Sequence, residues 1–216
     1  MKSLCPFVLA LLLFPLPVLA QEFPDSGDYT RAAGKDLPLY RARVADVYGN
    51  RFNGTYLIDN EGFQTGDLCY VGKVYTGLLL HIDAAAQHVL VQQEGSPVQL
   101  DLGREQIDWF SRGGRKYVNL PARGYKVPEG FYEQVAEGQG AVYRRVDKVL
   151  QRLTDPNGSA RGYIGYQDPN YKDGLMDYYN WKETWYQVKE DGSVKRLRGK
   201  RSVQKAVQYV RSQVTH

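Results

Sequence analysis

Two cysteines and two methionines are all that this chain of 216 residues contains. Cys5 lies in the apolar N-terminal run, so removal of that run leaves Cys69 without a partner in its own chain. A disulfide framework is thereby excluded, and the fold has to rest on its hydrophobic core. Past residue 20 no apolar stretch approaches the ~20 residues of a membrane-spanning helix. Catalytic signatures are missing too. There is no HExxH, GxSxG or SxxK, and no cysteine pair at metal-ligand spacing. Gly113-Gly114 precedes a strand-like run, not a helix, which excludes a phosphate loop there. Carboxylates stop at Asp191, whereas Lys195, Arg196, Arg198, Lys200, Arg201, Lys205 and Arg211 follow. The formal charge is +4 overall, yet residues 141–216 alone come to +7, with fifteen Lys or Arg against eight Asp or Glu, and residues 1–140 to −3.

What is present begins with MKSLCPFVLALLLFPLPVLA, after which the chain turns polar. Lys2, the apolar residues 4–19 and the small-residue end Val18-Leu19-Ala20 predict a secretory signal peptide over 1–20, cut after Ala20. An uncleaved N-terminal anchor is the alternative. Cys5 sits inside the apolar region, not behind a small-residue box, so a lipoprotein is not indicated. The expectation is an exported protein: periplasmic, outer-membrane-associated or secreted. The remaining chain of roughly 200 residues suits one domain.

Residues 21–37 have no period and read as an extended arm, followed by a single β-rich domain over 38–216. Short runs of Tyr, Val, Leu and Thr, punctuated by Gly, Asn, Asp and Pro, predict strands near 39–48, 54–59, 66–71, 74–82, 87–93, 97–102, 115–120, 141–153 and 177–189. A short central helix is expected over Gly130–Glu137. At the C-terminus Ser202 is placed to cap a helix whose Val203, Val207, Val210 and Val214 form one stripe. The turn-rich stretch 154–174 marks a possible subdivision. Asn53-Gly54-Thr55 and Asn157-Gly158-Ser159 are read as turns. The fold class is therefore α+β, mainly an antiparallel sheet (curved or open and barrel-like), with a short central helix and a C-terminal amphipathic helix.

In the C-terminal part, WYQVKEDGSVKRLRGKRSVQKAVQYV reads as an aromatic strand, a turn, a basic strand and a basic-apolar helix. With NGTYLIDNEGFQTGDLCYVGKVYTGLLLHID and IDWFSRGGRKYVNL…EGFYEQVAEGQGAVYRR upstream, the order resembles a group of uncharacterised exported proteins of Bacteroidota. The resemblance covers most of residues 45–212. It implies an envelope or secreted location and a β-rich fold, and it carries no catalytic residues.

Cys69 and His81 raise the question of a thiol–imidazole pair. A two-residue turn at Gly72-Lys73 pairs Cys69 with Thr76 and points His81 to the other face. A longer loop puts both on one face, but about 13 Å apart at ~3.3 Å per residue. A nucleophile and its base need ~3 Å, so Cys69 is read as a small buried hydrophobe. His81 and His88, with Asp83 or Asp101, would make a metal site only if the intervening turn set the histidines opposite each other. Ordinary strand histidines are the reading adopted, with no metal or cofactor. Tyr179, Trp181, Glu183 and Trp185 alternate along one strand and line one face, a candidate surface for a partner protein or glycan. Lys195, Arg198, Lys200, Arg201 and Lys205 form a candidate anion patch, for which lipopolysaccharide-type phosphates are the fitting partner in an exported protein. Nucleic acid is not. The function expected is non-catalytic binding of an envelope protein or glycan. The alternatives are a glycan or peptidoglycan hydrolase using Asp and Glu, or anion binding through the basic C-terminal face.

Overall fold

The computed structural model describes residues 26–46, 54–151 and 177–214. The stretch 154–174, with its possible subdivision, lies outside them. Among the described residues eleven strands form one antiparallel sheet in the order β1-β5-β4-β3-β2-β6-β7-β8-β9-β10-β11. Their bounds are β1 Arg43–Val44, β2 Gln64–Tyr70, β3 Lys73–Asp83, β4 His88–Gln92, β5 Gln99–Leu102, β6 Ile107–Arg112, β7 Arg115–Val118, β8 Tyr132–Ala136, β9 Val142–Gln151, β10 Tyr178–Val188 and β11 Val194–Leu197. Two α-helices, α1 Ser26–Ala33 and α2 Lys200–Val214, complete the sheet-dominated α+β fold. No helix among the described residues is long and apolar enough to cross a membrane.

Local chemistry explains most of these elements. Val71 and Gly72 both take positive φ, 51° and 72°, in a two-residue turn that matches the twist of β2 and β3. The turn thus falls one residue earlier than the Gly72-Lys73 expected, and Cys69 lies opposite Val74 instead of Thr76. Gly66 has a different role. A Cβ there would stand 1.8 Å from the Ser111 carbonyl oxygen, so only glycine lets β2 and β6 approach this closely.

The main core gathers Leu68, Leu80, Val89, Val91, Leu102, Ile107 and Phe110, with Phe110 stacked on Tyr117 at 4.9 Å. A second core joins Tyr132, Tyr143, Tyr186 and Val188 to the segment after β7. The sheet also curls so that β9 meets the turn between β3 and β4. In β9 the Lys148 amide donates to the Ala84 carbonyl at 3.0 Å, in the turn between β3 and β4. The buried Gln87 side chain, in that same turn, donates to Ala84 and Val146 carbonyls and accepts from the Phe131 amide.

Four expectations are corrected. Residues 26–33 are helical, not extended, because Tyr29 and Ala33, one turn apart, pack on the core while the Thr30 hydroxyl accepts the Thr76 amide. The segment Gly130–Glu137 is not helical and holds β8. Tyr132, Glu133, Gln134 and Ala136 pair with β7 or β9, and so short a helix could not have stabilised itself. Residues 54–59 contribute a lone bridge, Leu57 to Asp83, in place of a strand. Ser202 lies inside α2, which starts at Lys200 directly after Gly199; its hydroxyl donates back to the Arg198 and Gly199 carbonyls. The valine stripe is where it was expected. Val210 is fully buried, and Val203 and Val207 pack on the same small core with Ala206.

Candidate functional site

The four residues singled out on β10 fall on one face, as strand alternation requires. Across the β9–β10 register, Tyr179 faces Leu150, Trp181 faces Lys148, Glu183 faces Val146 and Trp185 faces Arg144. Their surroundings differ sharply. Tyr179 lies against Tyr56, ring centroids 6.4 Å apart and tilted by 57°, and closes a small apolar cluster with Ala45 and Leu90. Trp185 packs on the core under α2 and lies beneath the Arg144 guanidinium at 5.9 Å. Trp181 is the open aromatic among them, with 42 % of its surface exposed, and Glu183 beside it on that face is exposed too. The Lys148 ammonium stands 4.8 Å from its ring centroid, a cation–π contact. Burial lowers the pKa of Lys148, an effect that the Asp59 carboxylate opposes.

Glu183 belongs to a cluster that strand spacing did not reveal. Arg144 reaches across the sheet, with Nε on Glu133 at 2.9 Å and a terminal nitrogen on Glu183 Oε1 at 3.2 Å. One guanidinium therefore holds a carboxylate on each neighbouring strand. A glycosidase needs two carboxyl groups flanking a substrate, one of them carrying a proton. Here a cation occupies the space between the two.

The thiol and imidazole readings resolve on geometry. From Val74, which faces Cys69, to His81 is seven residues of β3, roughly 23 Å at ~3.3 Å each. Cys69 is buried and its Sγ–H donates to Asp108 at 3.4 Å. Burial and then the Asp108 carboxylate push its pKa up to about 11, the wrong direction for a nucleophile. His81 lies opposite Leu90, and His88 opposite Asp83, so the histidines do not face each other. His88 Nδ1 is 2.9 Å from Asp101, which also accepts from Arg43 at 2.8 Å. Asp83 instead accepts the Ala85 and Ala86 amides, holding the turn. Among the described residues no group of three His, Cys, Asp or Glu side chains is arranged to hold a metal ion.

His81 has a structural neighbourhood of its own. It is fully buried, edge-on to Phe63 at 5.5 Å. Its Nδ1 accepts the Ile82 amide, so the ring proton sits on Nε2, 3.7 Å from Asp59. Burial, with the positive charge of Arg112, lowers its pKa to about 4. Arg112 is itself buried and donates to both Asp59 oxygens at 2.8 and 2.9 Å, and to the Gly62 and Leu80 carbonyls. Burial alone would raise the Asp59 pKa; the Arg112 hydrogen bonds and charge outweigh it and hold the carboxyl below its ordinary value.

The five cations of the C-terminal patch are strung along the junction of β11 and α2. Lys195 lies on β11 opposite Gln187, and Arg198 follows the strand; Lys200 and Arg201 open α2, one turn before Lys205. All five are exposed, and the first turn of α2 contains no carboxylate. No family profile, curated protein or solved structure matches the chain.

Proposed function

We propose that this is an exported, non-catalytic binding protein of the cell envelope or its exterior, which contacts a glycan or a partner protein through the β9–β10 face. The N-terminal signal pattern and the resemblance to exported Bacteroidota proteins support the location. One observation carries the binding role: Trp181 stands exposed on a strand face whose other large aromatics are packed. A large aromatic left in water is an unfavourable arrangement that contact with a ligand relieves. The polar groups on its face, Lys148 and Glu183, suit a ligand that offers both an apolar face and hydrogen-bonding groups. A sugar ring is such a ligand.

The hydrolase reading loses ground because Arg144 stands between Glu133 and Glu183. The anion reading keeps one specific support, the carboxylate-free run of exposed cations at the start of α2. Phosphate groups of a lipopolysaccharide fit it.

The test is binding of the chain lacking residues 1–20 to immobilised glycans and proteins from envelope extracts of its own host, with Trp181→Ala beside the parent. Loss of a reproducible ligand in Trp181→Ala, with the melting temperature unchanged, is the expected result. Retention of every ligand by that variant would remove the β9–β10 face from consideration. Trp185→Ala is a poor probe here, since Trp185 supports the core beneath α2.

A further inference from the structure

β10 is covered unequally on its two sides. It pairs with β9 along residues 178–187, whereas β11 pairs with residues 185–188 alone. Just past Leu197, which lies opposite Trp185, Gly199 takes φ 79° and turns the chain into α2. The Val188 amide donates to Ala141 on the β9 side, and the Lys189 amide to Ser193 on the other. Even-numbered residues of β10 therefore bond to β9, and odd-numbered ones face the β11 side. Glu183 and Trp181 face that side where β11 no longer runs. Among the described residues neither the amide nor the carbonyl of either one has a hydrogen-bond partner there. Asn180, Trp181, Lys182 and Glu183 are exposed in succession, so both faces of the strand and its edge are open to water. Such an edge is a template for another strand.

The flanking side chains set its chemistry. On one face Trp181 offers its ring, and Glu183 is held by Arg144 at 3.2 Å. On the other face Lys182 and Arg196 have no carboxylate within ion-pair distance among the described residues. Asp147, opposite Lys182 on β9, is taken by Arg145 at 2.7–3.0 Å. We propose that an extended acidic segment of a partner protein adds as a strand to this edge, antiparallel to β10 and in line with β11. Its residue opposite Lys182 brings a carboxylate to the ammonium, and the next, opposite Trp181, lays an apolar side chain along the indole. Successive side chains of a strand point to opposite faces, so one segment meets both without crossing the sheet. The inference rests on the binding role of the β9–β10 face and names a protein as the partner. A second copy of the chain fits poorly. Pairing Trp181 with Glu183 across a two-fold axis would set two Lys182 side chains against each other. Centring the axis on Trp181 calls on the Tyr179 edge, where a Cβ on Gly54 would already stand 3.8 Å from the Tyr179 carbonyl oxygen.

The experiment is an NMR titration of the chain lacking residues 1–20 with the peptide Gly-Ser-Asp-Leu-Ser-Gly, blocked at both ends, and with its counterpart carrying Lys for Asp. Glu183→Pro and Glu183→Ala both remove the carboxylate. Only proline removes the edge amide, and it spares the ladder with β9. The Asp peptide should bind the parent and Glu183→Ala within about twofold of each other, and Glu183→Pro about fivefold or more weaker. In Lys182→Glu the preference should invert, with the Lys peptide binding about threefold or more tighter than the Asp peptide. Lys182 is exposed, so this reversal keeps the test decisive if the proline variant does not fold. Equal binding to both Glu183 variants would overturn strand addition, and an unchanged preference in Lys182→Glu would overturn the acidic position. Failure of the Asp peptide to bind the parent would overturn the proposal, as would dimerisation of the parent, read by sedimentation, that Glu183→Pro abolishes. Loss of a glycan in Trp181→Ala with no peptide bound would sink this inference and leave the binding role of the β9–β10 face standing.

Discussion

Arg112 and Arg144 are both gripped by carboxylates, yet their neighbourhoods are opposites. Arg112 has 1 % of its surface exposed, and its hydrogen bonds end on Asp59 and two backbone carbonyls. Nothing about it is available to a ligand. Arg144 is only partly buried, bridges two strands and shares its face with the open ring of Trp181. The contrast separates an ion pair closed off from water from one that stays within its reach, and burial draws that line.

Removing each arginine tests the distinction. Arg112→Ala should cost about 3–5 kcal/mol, because it leaves Asp59 and two buried carbonyls without their donor. Denaturant unfolding measures this, and a loss below about 1 kcal/mol would place Arg112 with the surface ion pairs.

Acid should act on the first neighbourhood in two stages. An unfolded chain protonates His81 near 6.5, whereas the folded chain does so only near 4. The unfolded state therefore binds more protons in that window, and stability falls by about 3 kcal/mol as the pH drops from 6.5 to 4. Below that window the Asp59 contribution, present above the usual carboxylate range, is lost as the pH falls through its lowered value. His81→Leu should flatten the first stage and leave the second, which chemical denaturation at a series of pH values reads directly.

Arg144→Ala is expected to cost far less than Arg112→Ala, about 1 kcal/mol, since both its partners retain access to water. The smallest effect belongs to Trp181→Ala, whose stability should stay within about 0.5 kcal/mol of the parent even where binding is lost. A large destabilisation there would mean that Trp181 is a packing residue, and would dissolve the comparison.

Some of this was legible in the residues themselves. The alternation Tyr179, Trp181, Glu183, Trp185 puts four side chains on one strand face whatever the partner strand. The valines of α2 declare their buried stripe in the same way. Both are local periodicities, and neither depends on what lies across the fold. β8 was misread because FYEQVAE suits a helix locally, and only β7 and β9 make it a strand. β6 escaped notice for a similar reason: its Trp109 and Phe110 are placed by pairing with Cys69 and Leu68 of β2 and with Val118 and Tyr117 of β7. Asp59 and Arg112 are 53 residues apart, and no spacing rule joins them.

Gln87 carries a consequence for the order of events during folding. Its side chain links residues 44 and 59 positions away, Phe131 and Val146, to a turn it helps to shape. Contacts this distant wait for the hairpins on either side to exist, because the chain between them must first lose its freedom. The amide of one residue thus serves as a late latch. Its removal in Gln87→Ala should leave the folding rate nearly unchanged and shorten the lifetime of the folded state, so that resistance to unfolding is set in part at this turn.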